Sequence, residues 1–123
     1  MLVAALFLAQ AAALSPERAD ARCVAAFGLA AERGKTGKGQ GSRAAQLGAL
    51  YFYGKLVGRR PGVDLHAALL DAARAIGSDP KADLTRCGAE LGKAGEAMST
   101  AGGAVARDES KAGEKRTGRG RRR

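Results

Sequence analysis

Two cysteines and one histidine are the residues in this chain best suited to chemistry: Cys23, Cys87 and His66. A catalytic dithiol keeps its sulfurs close in sequence, as in Cys-x-x-Cys, so that one thiolate attacks while the other resolves. Cys23 and Cys87 are 64 positions apart, which points to a structural disulfide rather than redox catalysis. His66 has no second imidazole to share a metal with, and the cysteines are expected to pair with each other. It reads as a surface histidine near the start of a helix. Asp64, Asp71, Asp79 and Asp83 are spread over two helix starts and an outer face, where capping and solvation account for them. Ser15, Ser42 and Ser78 have capping or turn explanations, and Ser99 and Ser110 have no identifiable base. No catalytic residue, metal site or cofactor is expected.

Gly34-Lys35-Thr36 resembles the end of a phosphate-binding loop. That loop needs four residues between its glycines and a strand before it. Five residues stand between Gly28 and Gly34, and the segment follows a helical pattern. Gly37, Gly39 and Gly41 also miss the dinucleotide spacing, because position 42 is Ser. The three rings of Tyr51-Phe52-Tyr53 point in different directions around a helix, so they cannot form one stacking platform.

The cysteine pair gains meaning from the start of the chain. Residues 2–14 carry no charge. The run is shorter than the ~20 apolar residues of a membrane span, and it suits the core of a signal peptide. Ala9-Gln10-Ala11 and Ala11-Ala12-Ala13 both fit a small-x-small cleavage site. No Lys or Arg precedes the run, so the signal is atypical or its start lies upstream. The alternative for these residues is a buried N-terminal helix. A signal over 1–13 implies export to the periplasm or beyond, an oxidising compartment in which a cysteine pair forms a disulfide. No transmembrane segment is expected after cleavage.

The formal net charge is +9. From Arg107 to Arg123 eight basic residues meet three acidic ones, so this segment holds +5 of it. Lys111, Lys115, Arg116, Arg119, Arg121, Arg122 and Arg123 form a candidate anion-binding tail. Like charges interspersed with Gly disfavour folding, so 104–123 is expected to be a disordered basic tail. Its partners would be an anionic envelope surface or a polyanion held by counterion release. Aromatics are 4% of the chain and Trp is absent, so the core must be small.

Four helical patterns must position these residues. Ser15, Pro16 and Glu17 give a cap, a first-turn proline and an acid at the positive end of a helix over roughly 16–33. Gly34 is its expected C-cap, and the Gly-rich stretch 34–42 reads as a loop. Ser42 is expected to cap a second helix over roughly 43–57. Its two apolar stripes, Leu47, Leu50, Tyr51 and Val57 on one side and Ala45, Ala49, Phe52 and Leu56 on the other, predict a central, buried helix. Arg59-Arg60-Pro61-Gly62 reads as a turn, and Asp64 as the cap of a third helix over roughly 65–76 that ends at Gly77. Ser78-Asp79-Pro80 opens a fourth, over roughly 80–101, with Leu84, Cys87, Leu91, Ala94 and Met98 on one face and Gly102-Gly103 as terminator. Gly88, Gly92 and Gly95 form a stripe against which another helix, the second by expectation, packs closely. No segment alternates with period two. The fold class is all-α: a four-helix domain over 15–103, stapled by one disulfide between its first and last helices, followed by the tail.

Some of these features together resemble a known group. They are the signal-like start, Cys23 in the first helix, Tyr51-Phe52-Tyr53-Gly54-Lys55-Leu56 with Gly58-Arg59, and Arg86-Cys87-Gly88 in the fourth. This pattern is similar to that of small exported all-helical proteobacterial proteins of unknown function with a single cysteine pair. The resemblance covers roughly residues 17–100 and leaves the tail outside. It implies a helical fold and an exported compartment, and no catalytic residues. A lone disulfide joining helices is also similar in design to periplasmic acid-stress chaperones, which implies a holdase that opens at low pH while the bridge limits expansion. The leading expectation is a non-enzymatic exported protein with an envelope-associated binding or structural role and weak anion contacts through the tail; the alternative is the periplasmic stress chaperone.

Overall fold

The computed structural model describes residues 14–34 and 40–120. The expected signal segment at 1–13 lies outside them, as do Lys35 to Gly39 and Arg121 to Arg123. Four helices follow in order: α1 (Pro16–Gly34), α2 (Gln40–Arg59), α3 (Leu65–Ile76) and α4 (Lys81–Gly120). No strand occurs among the described residues. The chain divides into two compact units, one ending at Asp79 and one beginning at Pro80. Cys23 in α1 and Cys87 in α4 are disulfide-bonded, which bears out the all-α class and the staple between first and last helices.

The first unit holds α1, α2 and α3. Its helix ends follow from local chemistry. The Ser15 hydroxyl accepts from the Arg18 N–H at 3.3 Å at the start of α1. The Asp64 carboxylate accepts from the Ala67 N–H at 3.0 Å and caps α3. Gly77 ends α3 with φ 66°, a left-handed conformation that glycine enters without a Cβ clash. Between α2 and α3 the Val63 N–H donates to the Arg60 carbonyl at 3.0 Å, closing a turn over 60–63, one residue later than expected because Arg59 belongs to α2.

Packing in this unit is led by α1, which lies against both α2 and α3 and more extensively against α2. Ala21 of α1, Leu56 of α2 and Ala72 of α3 meet in one buried cluster, flanked by Val63, Leu65 and Ala68. A second apolar layer joins α1 to α2. Phe27 and Phe52 stack with ring centroids 6.0 Å apart and planes 18° apart. The edge-on ring of Tyr51 meets Phe52 at 4.8 Å. This layer depends on Gly48: a Cβ there would stand 2.9 Å from three carbons of the Phe27 ring. Only a hydrogen at that position lets the two helix backbones close over the phenyl ring.

Three expectations for this unit are corrected. Ser42 does not cap α2, which begins at Gln40. Its hydroxyl instead donates to the Ala31 carbonyl at 3.2 Å, tying the start of α2 to the end of α1. Gly34 is the last residue of α1, and a Cβ on it would lie 3.0 Å from the Ser42 Cβ, so its smallness serves this approach. Finally, α2 is buried on one side only. Ala45, Phe52 and Leu56 are buried, whereas Leu47 and Leu50 are 60% and 63% exposed. Both stripes are apolar, but α1 covers only the one that carries Phe52.

The second unit is α4, with the Pro80 carbonyl accepting from the Leu84 N–H at 2.9 Å at its start. Cys87 and Asp83 are buried, Leu84 and Leu91 are half-buried, and Met98 is 74% exposed. Two expectations fail here. A Cβ at Gly88, Gly92 or Gly95 would meet nothing within 4 Å, so this stripe is not a site of close helix packing. Nor does α4 end at Gly102-Gly103: it runs on to Gly120. A glycine stops a helix by turning left-handed, and among the described glycines only Gly77 has a positive φ. Beyond the pair, Ala, Glu, Lys and Arg dominate, all with high helix propensity. The Thr117 hydroxyl bonds the carbonyls of Gly113 and Glu114 within the helix, at 3.2 and 3.1 Å.

Candidate functional site

The charged centre of the first unit is Asp20, 3% exposed on the face that α1 turns to α2. One carboxylate oxygen lies 3.1 Å from the Lys55 ammonium, and the other accepts from the Arg59 Nε at 2.9 Å. Lys55 and Arg59 are four residues apart on α2, so one turn of helix presents both cations to one acid. The Lys55 ammonium also stands 5.2 Å from the Phe52 ring centroid and 5.9 Å from that of Tyr51. This arrangement is explained by packing: the ammonium stands over two rings set edge to face, and the acid neutralises one of the two cations. Each oxygen of Asp20 is engaged, so the carboxylate is not presented to a substrate as a base. The group acts as an ionic clamp between α1 and α2.

Asp20 was not singled out by sequence reasoning. A signal for it exists. It precedes Cys23, Val24 and Phe27 by three, four and seven positions, which places an acid on the buried stripe of α1. An acid in that register needs a cationic partner when the stripe is covered. Lys55 and Arg59 hold the matching register on α2, beside Phe52 and Leu56.

The residues picked out by sequence are placed as follows. Cys23 and Cys87 are joined and fully buried. His66 is exposed near the start of α3. Asp64 is the α3 cap, and Asp71 lies 3.9 Å from Arg74 on its own helix. Asp83 departs from the expected solvated acid, being 6% exposed with Arg86 at 3.5 Å. Lys111, Lys115 and Arg116 are exposed along α4, and Arg119 falls in its last turn. Arg121, Arg122 and Arg123 lie outside the described residues. The structure therefore brings the two cysteines together and sets the described tail residues on a helix.

Comparison with protein-family models, curated proteins and solved structures finds no match. The site is therefore judged on its own chemistry. Among the described residues no cluster of three or more His, Cys, Asp or Glu side chains could hold a metal ion. No helix among them is long and apolar enough to cross a membrane. What the described residues do assemble is a disulfide, an ionic clamp and a long helix with an exposed basic end.

Proposed function

We propose that this is an exported, non-enzymatic helical protein with an envelope-associated binding or structural role, and that the distal part of α4 makes its anion contacts. The observation that carries this reading is the register of that segment. Arg107, Lys111 and Lys115 recur every fourth residue on α4, and all three are exposed. Residues at that spacing share one face of a helix. The same spacing continues in sequence to Arg119. A helix aligns these cations without the entropy cost that a loose tail would meet on binding. Near an anionic surface each such residue contributes about 1 kcal/mol, screened by salt. The disulfide supports the exported compartment, since such bonds persist where the surroundings are oxidising.

Binding to vesicles rich in anionic lipid, and to a soluble polyanion, should fall steeply as salt is raised and should drop on deletion of residues 107–123. Binding that ignores both the salt and the deletion would remove the tail from the function.

The periplasmic holdase is a second reading, and the single disulfide between α1 and α4 is the observation that favours it, since such a bridge limits the expansion of an opened chain. This reading requires suppression of client aggregation near pH 3, together with a rise in binding of a hydrophobic dye. A titration in which the dye signal stays flat to pH 3 excludes it.

A further inference from the structure

An open groove of about 560 Å3 lies along α1, the turn after α2, and α3. Its size falls within the ~300–1,000 Å3 of small-ligand sites. The floor is apolar and built of short side chains, Ala21, Ala68 and Ala72, with Leu56 and Val63 beside them. Short alanine side chains on both helices leave space over this floor.

Charged side chains of both signs line this groove. Arg18 and Arg22 line it from α1 and Arg60 from the turn, while Asp64 and Asp71 line it from the α3 side. Glu17, in the first turn of α1, also lines it. Arg18 and Arg60 make no ion pair among the described residues. Asp64 spends one oxygen on its helix cap, and Asp71 stands 3.9 Å from Arg74. An anion placed over the floor is attracted by the arginines and repelled by Glu17 and the aspartates; for a cation the reverse holds. A molecule carrying both charges meets a complementary partner for each of them. An apolar chain on such a molecule would remove the alanine floor from water.

We propose that this groove binds a zwitterionic single-chain amphiphile. Its chain lies on the floor, its anionic group toward Arg18 and Arg60, and its cationic group toward Asp64 and Asp71. The site lies within the first unit and does not depend on the basic residues of α4.

The test is calorimetric titration of the oxidised full chain with dodecylphosphocholine below its micellar concentration. Dodecyl sulfate and dodecyltrimethylammonium, with the same chain, serve as the anionic and cationic arms. Saturable binding of the zwitterion, at least about ten-fold tighter than of either ion, is expected. Ala67→Leu and Ala75→Leu, at exposed positions on the groove wall, should each weaken it by filling the space, with the helical circular dichroism unchanged. Arg60→Gln should shift the preference toward the cationic detergent. Deletion of 107–123 should leave the binding as it was, which separates this site from the anion contacts of α4. Equal affinity for the three detergents, no saturable binding, indifference to both leucine variants, or loss on the deletion would each overturn the proposal.

Discussion

Gly48→Ala should cost stability, whereas Gly54→Ala in the same helix should add it. Ala is preferred to Gly in a helix interior by about 1 kcal/mol, so propensity alone favours both changes equally. The surroundings separate them. At Gly48 the new methyl would stand 2.9 Å from the Phe27 ring, and at Gly54 it would meet nothing within 4 Å. The Phe27 ring has little freedom to move away: it is 9% exposed and stacks on Phe52, which is fully buried. Forcing a methyl into such a layer costs about 1–3 kcal/mol, which equals or exceeds the gain in propensity. The two variants should therefore differ by about 1–3 kcal/mol, with Gly54→Ala the more stable. At roughly 4 °C per kcal/mol for a domain of this size, the melting temperatures should separate by at least a few degrees. Thermal unfolding of both oxidised variants, followed by circular dichroism, makes the comparison with propensity cancelled. Equal melting temperatures, or a higher one for Gly48→Ala, would refute the close approach of α1 and α2 at this glycine.

Asp20→Asn keeps the shape but removes the charge that holds Lys55 and Arg59. Since those side chains are 24% and 45% exposed, the loss should be about 1–3 kcal/mol, below the ~3–5 kcal/mol of a fully buried pair; chemical denaturation measures it, and a change under about 0.5 kcal/mol, the range of ordinary surface substitutions, would show that the clamp carries no stability. Reducing the Cys23–Cys87 bond opens a loop closed across 64 positions and should cost about 4 kcal/mol on the chain-entropy account, read as the shift in denaturation midpoint with and without reductant; an unmoved midpoint would mean that the bridge does not restrict the unfolded chain. Asp64→Ala removes the acceptor of the Ala67 N–H and should cost about 1 kcal/mol, seen as earlier fraying of α3 in amide exchange, while Asp71→Ala, on the outer face of the same helix, should change little.

How far the fold could be read from sequence depended on whether each signal was local. The bounds of α3 were legible because Asp64 and Gly77 act on their own helix: an acceptor one step before the first turn, and a residue free to turn left-handed after the last. The inward direction of both cysteines was legible for a similar reason, since helical register assigns a face without reference to a partner. Helix α2 shows where this stops. Its two stripes, one with Leu47 and Leu50 and one with Phe52 and Leu56, are equally apolar, and only the packing of α1 decides that the second is buried.

Glycine misled in two ways that share one cause. Gly102-Gly103 permits a helix stop but does not impose one, because a stop requires the left-handed turn and neither residue makes it. The stripe of Gly88, Gly92 and Gly95 permits close approach without drawing anything to it, whereas a single glycine, Gly48, is filled by the Phe27 ring. A missing side chain grants space, and what occupies that space is set elsewhere in the chain. Asp20 follows the same logic with charge in place of volume. Its register marks a buried acid, but the identity of its partners, Lys55 and Arg59, exists only once α1 and α2 meet. The residues that couple the helices of the first unit are therefore those whose meaning is pairwise. An exchange that keeps local propensity but breaks the pair, such as Asp20→Asn, should disturb this unit at least as much as the loss of the α3 cap.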